Sequence, residues 1–436
     1  MGNCISIDVN VGGNLMIDQK YYLDLFSGAG GLSEGFMRAG FMPVAHIDSD
    51  PAACYTLKTR MAYKWAVQNN KEDLYEDYTK GIIKRSDFYE KIPTEIMNSV
   101  INMKISTETL TEIFGKIDSY LGDKKIDLII GGPPCQAYSV VGRARDKGRM
   151  MNDSRNKAYV LFAFFLKKYM PEYFVFENVI GLLSAKDKDG IPFFESMQKV
   201  LKECGYSLEY RVLNSKDFGV LQNRRRIVII GKKGEHENFY PNLEKHKHGV
   251  NVSEIFNDLP AINSDSGSMY SVETHPYGGQ YLFESGIRTA GRNTATLHKS
   301  RYNNERDLEI YKIAVEEWNS HETRLNYETL PDRLKTQNNR HSFLDRYKVV
   351  AANLNCAQTV VAHLSKDGHY FIHPDQFQNR SITPREAARL QTFPDDYFFE
   401  SKGEEPSITA AFRQIGNAVP VLLAEKIAKS LKNAWK

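Results

Sequence analysis

No apolar run in this sequence reaches the roughly 20 residues that a membrane-spanning helix requires, so a helical membrane protein is excluded. Cysteine is scarce: Cys4, Cys54, Cys135, Cys204 and Cys356 are five in 436 residues, and no two form a CxxC pair. An odd, scattered set of this kind suits reduced thiols and predicts a cytoplasmic protein, not a disulfide framework. An excess of one charge is also missing, with 57 Lys+Arg against 54 Asp+Glu and a net charge of +3. Charge therefore neither demands nor forbids a polyanionic partner. The N-terminus has no signal-peptide apolar stretch. Met1-Gly2-Asn3-Cys4-Ile5-Ser6 matches a myristoylation pattern that is short enough to arise by chance.

What is present is a beat of short apolar runs and helices. Tyr21 to Phe26 reads as a strand that ends in Ser27-Gly28-Ala29-Gly30-Gly31 and opens a helix at Leu32. Pro43 to Ile47 reads as a second strand ending at Asp48, with Pro51 in the first turn of the next helix. Ile126 to Ile130, Tyr173 to Phe176 and Ile227 to Ile230 complete the strands. The alternation predicts a doubly wound, mostly parallel α/β sheet, with ligands gathered at the carboxyl ends of its strands. Residues 62 to 120 read as charged helices inserted into that pattern. Residues 232 to 377 lack the beat and hold ten of the eleven histidines, with 17 Lys+Arg against 19 Asp+Glu. Those histidines read as surface polar residues, since spacings such as His246-x-His248 match no zinc pattern, and no metal is expected.

Four clusters carry chemistry. The glycine turn lets a ligand approach the backbone closely. Ser33 stands where the dinucleotide fingerprint needs glycine, and a P-loop lysine is absent, so a nucleoside ligand without phosphate fits better. Asp48, about 20 residues on, can accept both ribose hydroxyls. Its bland alternative is a helix cap ahead of Pro51. Gly132-Pro133-Pro134-Cys135-Gln136 places a cysteine on a stiff turn beyond a buried strand, suited to a nucleophile; a lone cysteine is otherwise a small buried hydrophobe. Glu177-Asn178 ends the next strand, and Gln222-Asn223-Arg224-Arg225-Arg226 precedes another. A thiolate attacking C6 of cytosine makes C5 nucleophilic enough to take a methyl group, with an acid near N3 and a cation near O2 absorbing charge.

With these residues in family order, the chain resembles the DNA (cytosine-5) methyltransferase family of the bacterial restriction–modification type. The match runs through Asp24 to Leu32, Ile47 to Pro51, Gly131 to Ser139, Glu177 to Val179, Gln222 to Arg226, Arg380 to Pro394 and Gln414 to Pro420. The resemblance implies a Rossmann-like methyltransferase fold with a second, smaller, irregular target-recognition domain. Residues 1–231, completed by 406–436, would form the catalytic, donor-binding domain. Residues 232–405 would form the recognition domain, variable over 232–377. It further implies Cys135 as nucleophile, Glu177 as the cytosine-contacting acid, and Arg226 with Arg224 as the motif's arginines. Phe26, Gly28, Gly30, Gly31, Asp48 and Asn417 would hold S-adenosylmethionine, while Pro134, Gln136 and Ser139 would face the substrate. Double-stranded DNA is the implied partner, its target base extruded before attack. Residues 143–156 would form a lid. A monomer with a separately acting restriction endonuclease is expected.

The match has departures. The segment Ile101 to Thr107 offers Asn102 where the family has an adenine-contacting Asp, Ser49 replaces a common aromatic, and Tyr138 replaces Phe. Competing readings are methylation of a structured RNA, and a DNA-binding protein that has lost turnover. A dinucleotide oxidoreductase is disfavoured by Ser33.

Overall fold

A computed structural model of the chain describes residues 19–134, 158–187 and 190–435. Its centre is a seven-stranded sheet in the order β3-β2-β1-β4-β5-β7-β6. The strands are β1 (Tyr21–Leu25), β2 (Met42–Asp48), β3 (Val100–Asn102), β4 (Leu128–Gly131), β5 (Tyr173–Asn178), β6 (Tyr206–Asn214) and β7 (Arg225–Lys233). The first five run parallel, and β7 is antiparallel to both β5 and β6. This is the doubly wound sheet that the alternating pattern predicts. Two strands were not foreseen: β3 lies inside the stretch read as charged helices, and β6 has no apolar run to announce it.

Alternation along β1 shows how the sheet is covered. Leu23 and Leu25 face a core shared with α6 (Leu110–Leu121), α7 (Ala158–Tyr169) and α8 (Phe193–Lys202). Tyr22 faces the opposite core, with Phe36 of α1 (Gly31–Arg38) and the helix Val421–Ala434. Successive residues of a strand point to opposite faces, so one short run serves two layers. The last helix returns to the first, as expected for the segment after Val419. A Cβ on Gly31 would lie 2.4 Å from the Val419 carbonyl, and one on Gly35 2.4 Å from the Ala424 side chain.

The charged insertion is not a solvated appendage. Helices α2 (Pro51–Gln68), α3 (Glu72–Thr79), α4 (Arg85–Glu90) and α5 (Thr94–Asn98) turn Tyr75, Tyr78 and Phe88 into a core. That core also takes Val252, Ile255, Leu297 and Val360, so the insertion packs on the variable segment. Within the variable segment, α9 (Gln280–Glu284) is short. The longer α10 (Glu305–His321) builds a separate cluster with Tyr327, Leu334 and Tyr347. The reading of the histidines as surface residues needs correction at two positions. His298 and His373 are buried, because each serves the polar network around residues 380–386: His298 Nδ1 lies 3.2 Å from Thr383 Oγ1 and His373 Nε2 lies 3.6 Å from Glu386 Oε1. Among the described residues no group of three or more His, Cys, Asp or Glu could hold a metal ion.

Glu400 joins the insertion to the later chain. Its carboxylate accepts hydrogen bonds from Thr59 (2.5 Å), Tyr78 (2.6 Å) and Arg85 (3.3 Å). Burial pushes this carboxyl up to about 7 against the pull of Thr59, Tyr78 and Arg85. A raised acid favours the folded state while protonated. Its contribution is therefore complete below the ordinary value of 4.5 and lost as pH rises to about 7. Urea midpoints of the native chain should fall across that window, and Glu400→Gln should flatten the slope. An equal slope in the variant would dismiss Glu400 as its source.

Candidate functional site

The carboxyl ends of β1, β2, β4 and β5 open into one cavity of 820 Å³. Beyond β1 the backbone takes left-handed φ values at Phe26 (56°), Gly28 (53°) and Gly30 (78°). Phe26 is the strained member of the three, since a side chain disfavours this region. The turn leaves the Gly28 amide free to donate to Asp48 Oδ2 (2.8 Å), while Asp50 N donates to Asp48 Oδ1 (2.8 Å). Asp48 is not the cap of α2. Asp50 fills that role, accepting from Ala52 N at 2.9 Å. Asp48 is thereby released for the cavity, and burial raises its carboxyl despite the amide bonds from Asp50 and Gly28.

The end of β5 supplies the acid. Glu177 Oε1 accepts from Arg226 Nε at 2.9 Å, and both side chains are largely covered. Burial raises the Glu177 carboxyl, and the Arg226 and Arg224 guanidiniums pull against that rise. The chain leading to position 135 runs directly past this pair. A Cβ on Gly132 would sit 3.1 Å from Glu177 Oε2, a close approach that the absence of a side chain relieves, so the backbone passes directly beside the carboxylate. One residue later the Pro133 carbonyl accepts from Asn178 Nδ2 at 3.3 Å. Cys135, Gln136, Ser139 and the proposed lid 143–156 lie outside the described residues.

Arg224 is buried and ties three segments together. It donates to the carbonyls of Val360 (2.6 Å), Gly416 (3.2 Å) and Ala418 (2.8 Å). Gly416 and Ala418 flank Asn417, the last residue of helix Ile408–Asn417, and Asn417 is exposed to the cavity. Gln222 extends the tie, donating to the Leu390 carbonyl (2.8 Å) and accepting from Val360 N (2.9 Å).

Of the residues singled out in the sequence, Phe26, Gly28, Gly31, Asp48, Pro134, Glu177, Arg224, Arg226 and Asn417 all border the one cavity. Gly30 does not: its missing Cβ would collide with Leu57 at 2.5 Å, so it serves packing beneath the turn. Sequence reasoning missed several wall residues, among them Asp24, Met103, Leu161, Phe164 and Arg413. Asn102, standing in the acid's usual place, is engaged elsewhere, donating to the Asp48 carbonyl (3.2 Å). Met103 to Glu108, just after it, form that side of the wall. Asp24 opens the matched segment Asp24 to Leu32 but was not singled out as a wall residue.

The sequence profile of the family described as C-5 cytosine-specific DNA methylase matches residues 21–95 and 97–433. A type II methyltransferase of Bacillus paralicheniformis is 37% identical, covering 94% of this chain and 98% of its own. A type II methyltransferase of Desulfomicrobium norvegicum is 29% identical, covering 94% of this chain and 88% of its own. Among solved structures, that of Entamoeba histolytica methyltransferase EhMeth is similar with a TM-score of 0.55. It is 14% identical and covers 96% of this chain and 99% of its own, a likeness of fold.

Proposed function

Because the chain belongs to the family of C-5 cytosine-specific DNA methylases, we propose a specific assignment of its residues to methyl transfer onto C5 of cytosine in double-stranded DNA. The supporting observation is the closeness of the β4 exit to Glu177: Gly132 runs against the carboxylate, three positions before Cys135. A base extruded from the duplex would enter between them. The Cys135 thiolate adds to C6, and Glu177 stabilises the charge that develops at N3 and the N4 amine. Arg226 holds Glu177 in place. C5 then takes the methyl group, loses its proton, and expels the Cys135 thiolate, which restores the C5–C6 double bond.

The donor is S-adenosylmethionine, whose sulfonium supplies an electrophilic methyl group. The cavity fits it. The space where a Gly28 Cβ would stand is open for 4 Å, Asp48 is presented for ribose hydroxyls, and the glycine turn is followed by no P-loop lysine for a phosphate. Phe26, Gly31 and Asn417 complete that side, and Gly30 supports the turn from below. Pro134, Gln136 and Ser139 belong to the substrate side. Residues 1–231 with 406–436 act as the catalytic domain and 232–405 as the recognition domain. The enzyme reads a short sequence as a cytoplasmic monomer, as the modification partner of a separate endonuclease. No helix among the described residues is long and apolar enough to cross a membrane.

Methylation-sensitive sequencing of DNA from cells expressing the gene should show 5-methylcytosine confined to one short sequence. In vitro, labelled methyl groups should pass to duplex DNA and not to tRNA. Transfer to tRNA alone would reverse the substrate assignment.

A further inference from the structure

Ala29 stands in the turn after β1, between Gly28 and Gly30, and borders the cavity. Its carbonyl accepts a hydrogen bond of 2.5 Å from the hydroxyl of Tyr397, a fully buried side chain. The other end of the same peptide is held as well, since Gly30 N donates to Ser27 O at 3.0 Å. Glycine takes either sign of φ with little preference, so Gly30 alone cannot decide which way this peptide faces. The two hydrogen bonds decide it. Tyr397 also presses on the turn, because a Cβ on Gly30 would lie 3.0 Å from its hydroxyl.

We propose, on the donor reading above, that Tyr397 is a positioning residue for the methyl donor. It fixes the Ala29–Gly30 peptide from behind and never touches the ligand. Tyr397 belongs to 232–405, the segment assigned to reading DNA. Among the described residues, none of that segment borders the cavity. The recognition segment thus shapes the donor pocket through a single hydroxyl.

The ring is braced on every side, so the turn must conform to it. The Tyr397 carbonyl accepts from Arg385 Nη2 (2.7 Å), and Tyr397 N donates to the Pro394 carbonyl (2.9 Å). Arg385 Nε in turn donates to the Thr296 carbonyl (2.8 Å), which extends the brace into the variable segment. The Arg60 guanidinium lies 4.9 Å from the ring centre and pairs with Glu34 (2.6 Å) in the first turn of α1. Phenylalanine would keep this packing and remove only the donor to Ala29. A buried carbonyl without a partner is costly, and turning the peptide over toward the cavity relieves that cost. The turned peptide reshapes the wall that meets the donor.

Tyr397→Phe, measured in the whole enzyme, should weaken S-adenosylmethionine binding by about 2- to 10-fold, the net worth of one hydrogen bond. The donor KM should rise by the same factor, while kcat at saturating donor and the Kd for duplex DNA stay at the native values. A tyrosine that serves packing alone would lower the urea midpoint and leave the donor Kd unmoved, and that result overturns the proposal. A loss confined to kcat, or to DNA affinity, overturns it as well. Placing 3-fluorotyrosine at position 397 keeps the hydroxyl and needs no destabilised variant. Its fluorine resonance should move when S-adenosylmethionine saturates the enzyme. A resonance that stays in place would sink the idea even if the phenylalanine variant does not fold. Native enzyme that binds no S-adenosylmethionine would instead overturn the donor reading.

Discussion

Glu177→Gln is expected to lower kcat for methyl transfer by about 10²- to 10⁴-fold, with donor Kd unchanged. The amide keeps the shape of the side chain and removes the only part of it that can exchange a proton with the ring. Because burial raises the Glu177 carboxyl, more of it is protonated near neutral pH than an exposed glutamate would be. The proton-donating form is lost as pH rises through that raised value, so the kcat profile should fall on its alkaline side. Arg226→Ala removes the cation 2.9 Å from Oε1 and should move that fall to higher pH. A shift to lower pH would show that Arg226 does not act through Glu177. Cys135→Ser should leave no transfer at all, since a hydroxyl at this site lacks the thiolate's nucleophilicity. Donor affinity should survive all three substitutions, because the adenosyl side of the cavity is built from Phe26, Asp48 and Asn417 and not from these residues.

How far the sequence could be read depended on whether a signal was local. The turn after β1 is local, since glycine at positions 28 and 30 answers to positive φ within a few residues. The five strands that were foreseen are buried on both faces and therefore write themselves as apolar runs. β6 lies at the sheet's edge, and its middle residues, Glu209 to Arg211 among them, carry no such run. Burial that depends on distant partners is equally invisible. Arg60 looks like surface charge on α2, yet it reaches Glu34 (2.6 Å) and Asp396 (2.8 Å) from an almost fully covered position. The same holds for Gly30, which shares its turn with Gly28 but faces Leu57, a residue that no local rule places there. Family order located the site's main residues, and only the packed chain separated those that border the cavity from those that support it.

Arg389→Met is expected to destabilise the protein by about 3–5 kcal/mol, the cost of leaving buried charges without their partner. Arg389 is fully buried and divides its guanidinium between two carboxylates. It donates from Nε to Asp395 Oδ1 (2.9 Å), from Nη2 to Asp395 Oδ2 (2.6 Å) and from Nη1 to Asp258 Oδ1 (2.5 Å). Asp258 comes from the variable segment and also pairs with Arg288 at 2.8 Å, so one arginine fastens that segment to helix Pro384–Leu390. Methionine fills much of the volume but neutralises neither acid. Among the described residues, Asp395 would keep only the longer ion pair to Arg385 at 3.8 Å. The urea midpoint should drop sharply, whereas Lys80→Met, which breaks the exposed pair with Glu76 (2.9 Å), should leave it unmoved. Adding Asp395→Asn to Arg389→Met should recover part of the loss, because the unpaired charge of Asp395 and not the missing contacts dominates it, whereas Asp258 keeps Arg288. A double variant no more stable than Arg389→Met would place the cost in packing instead.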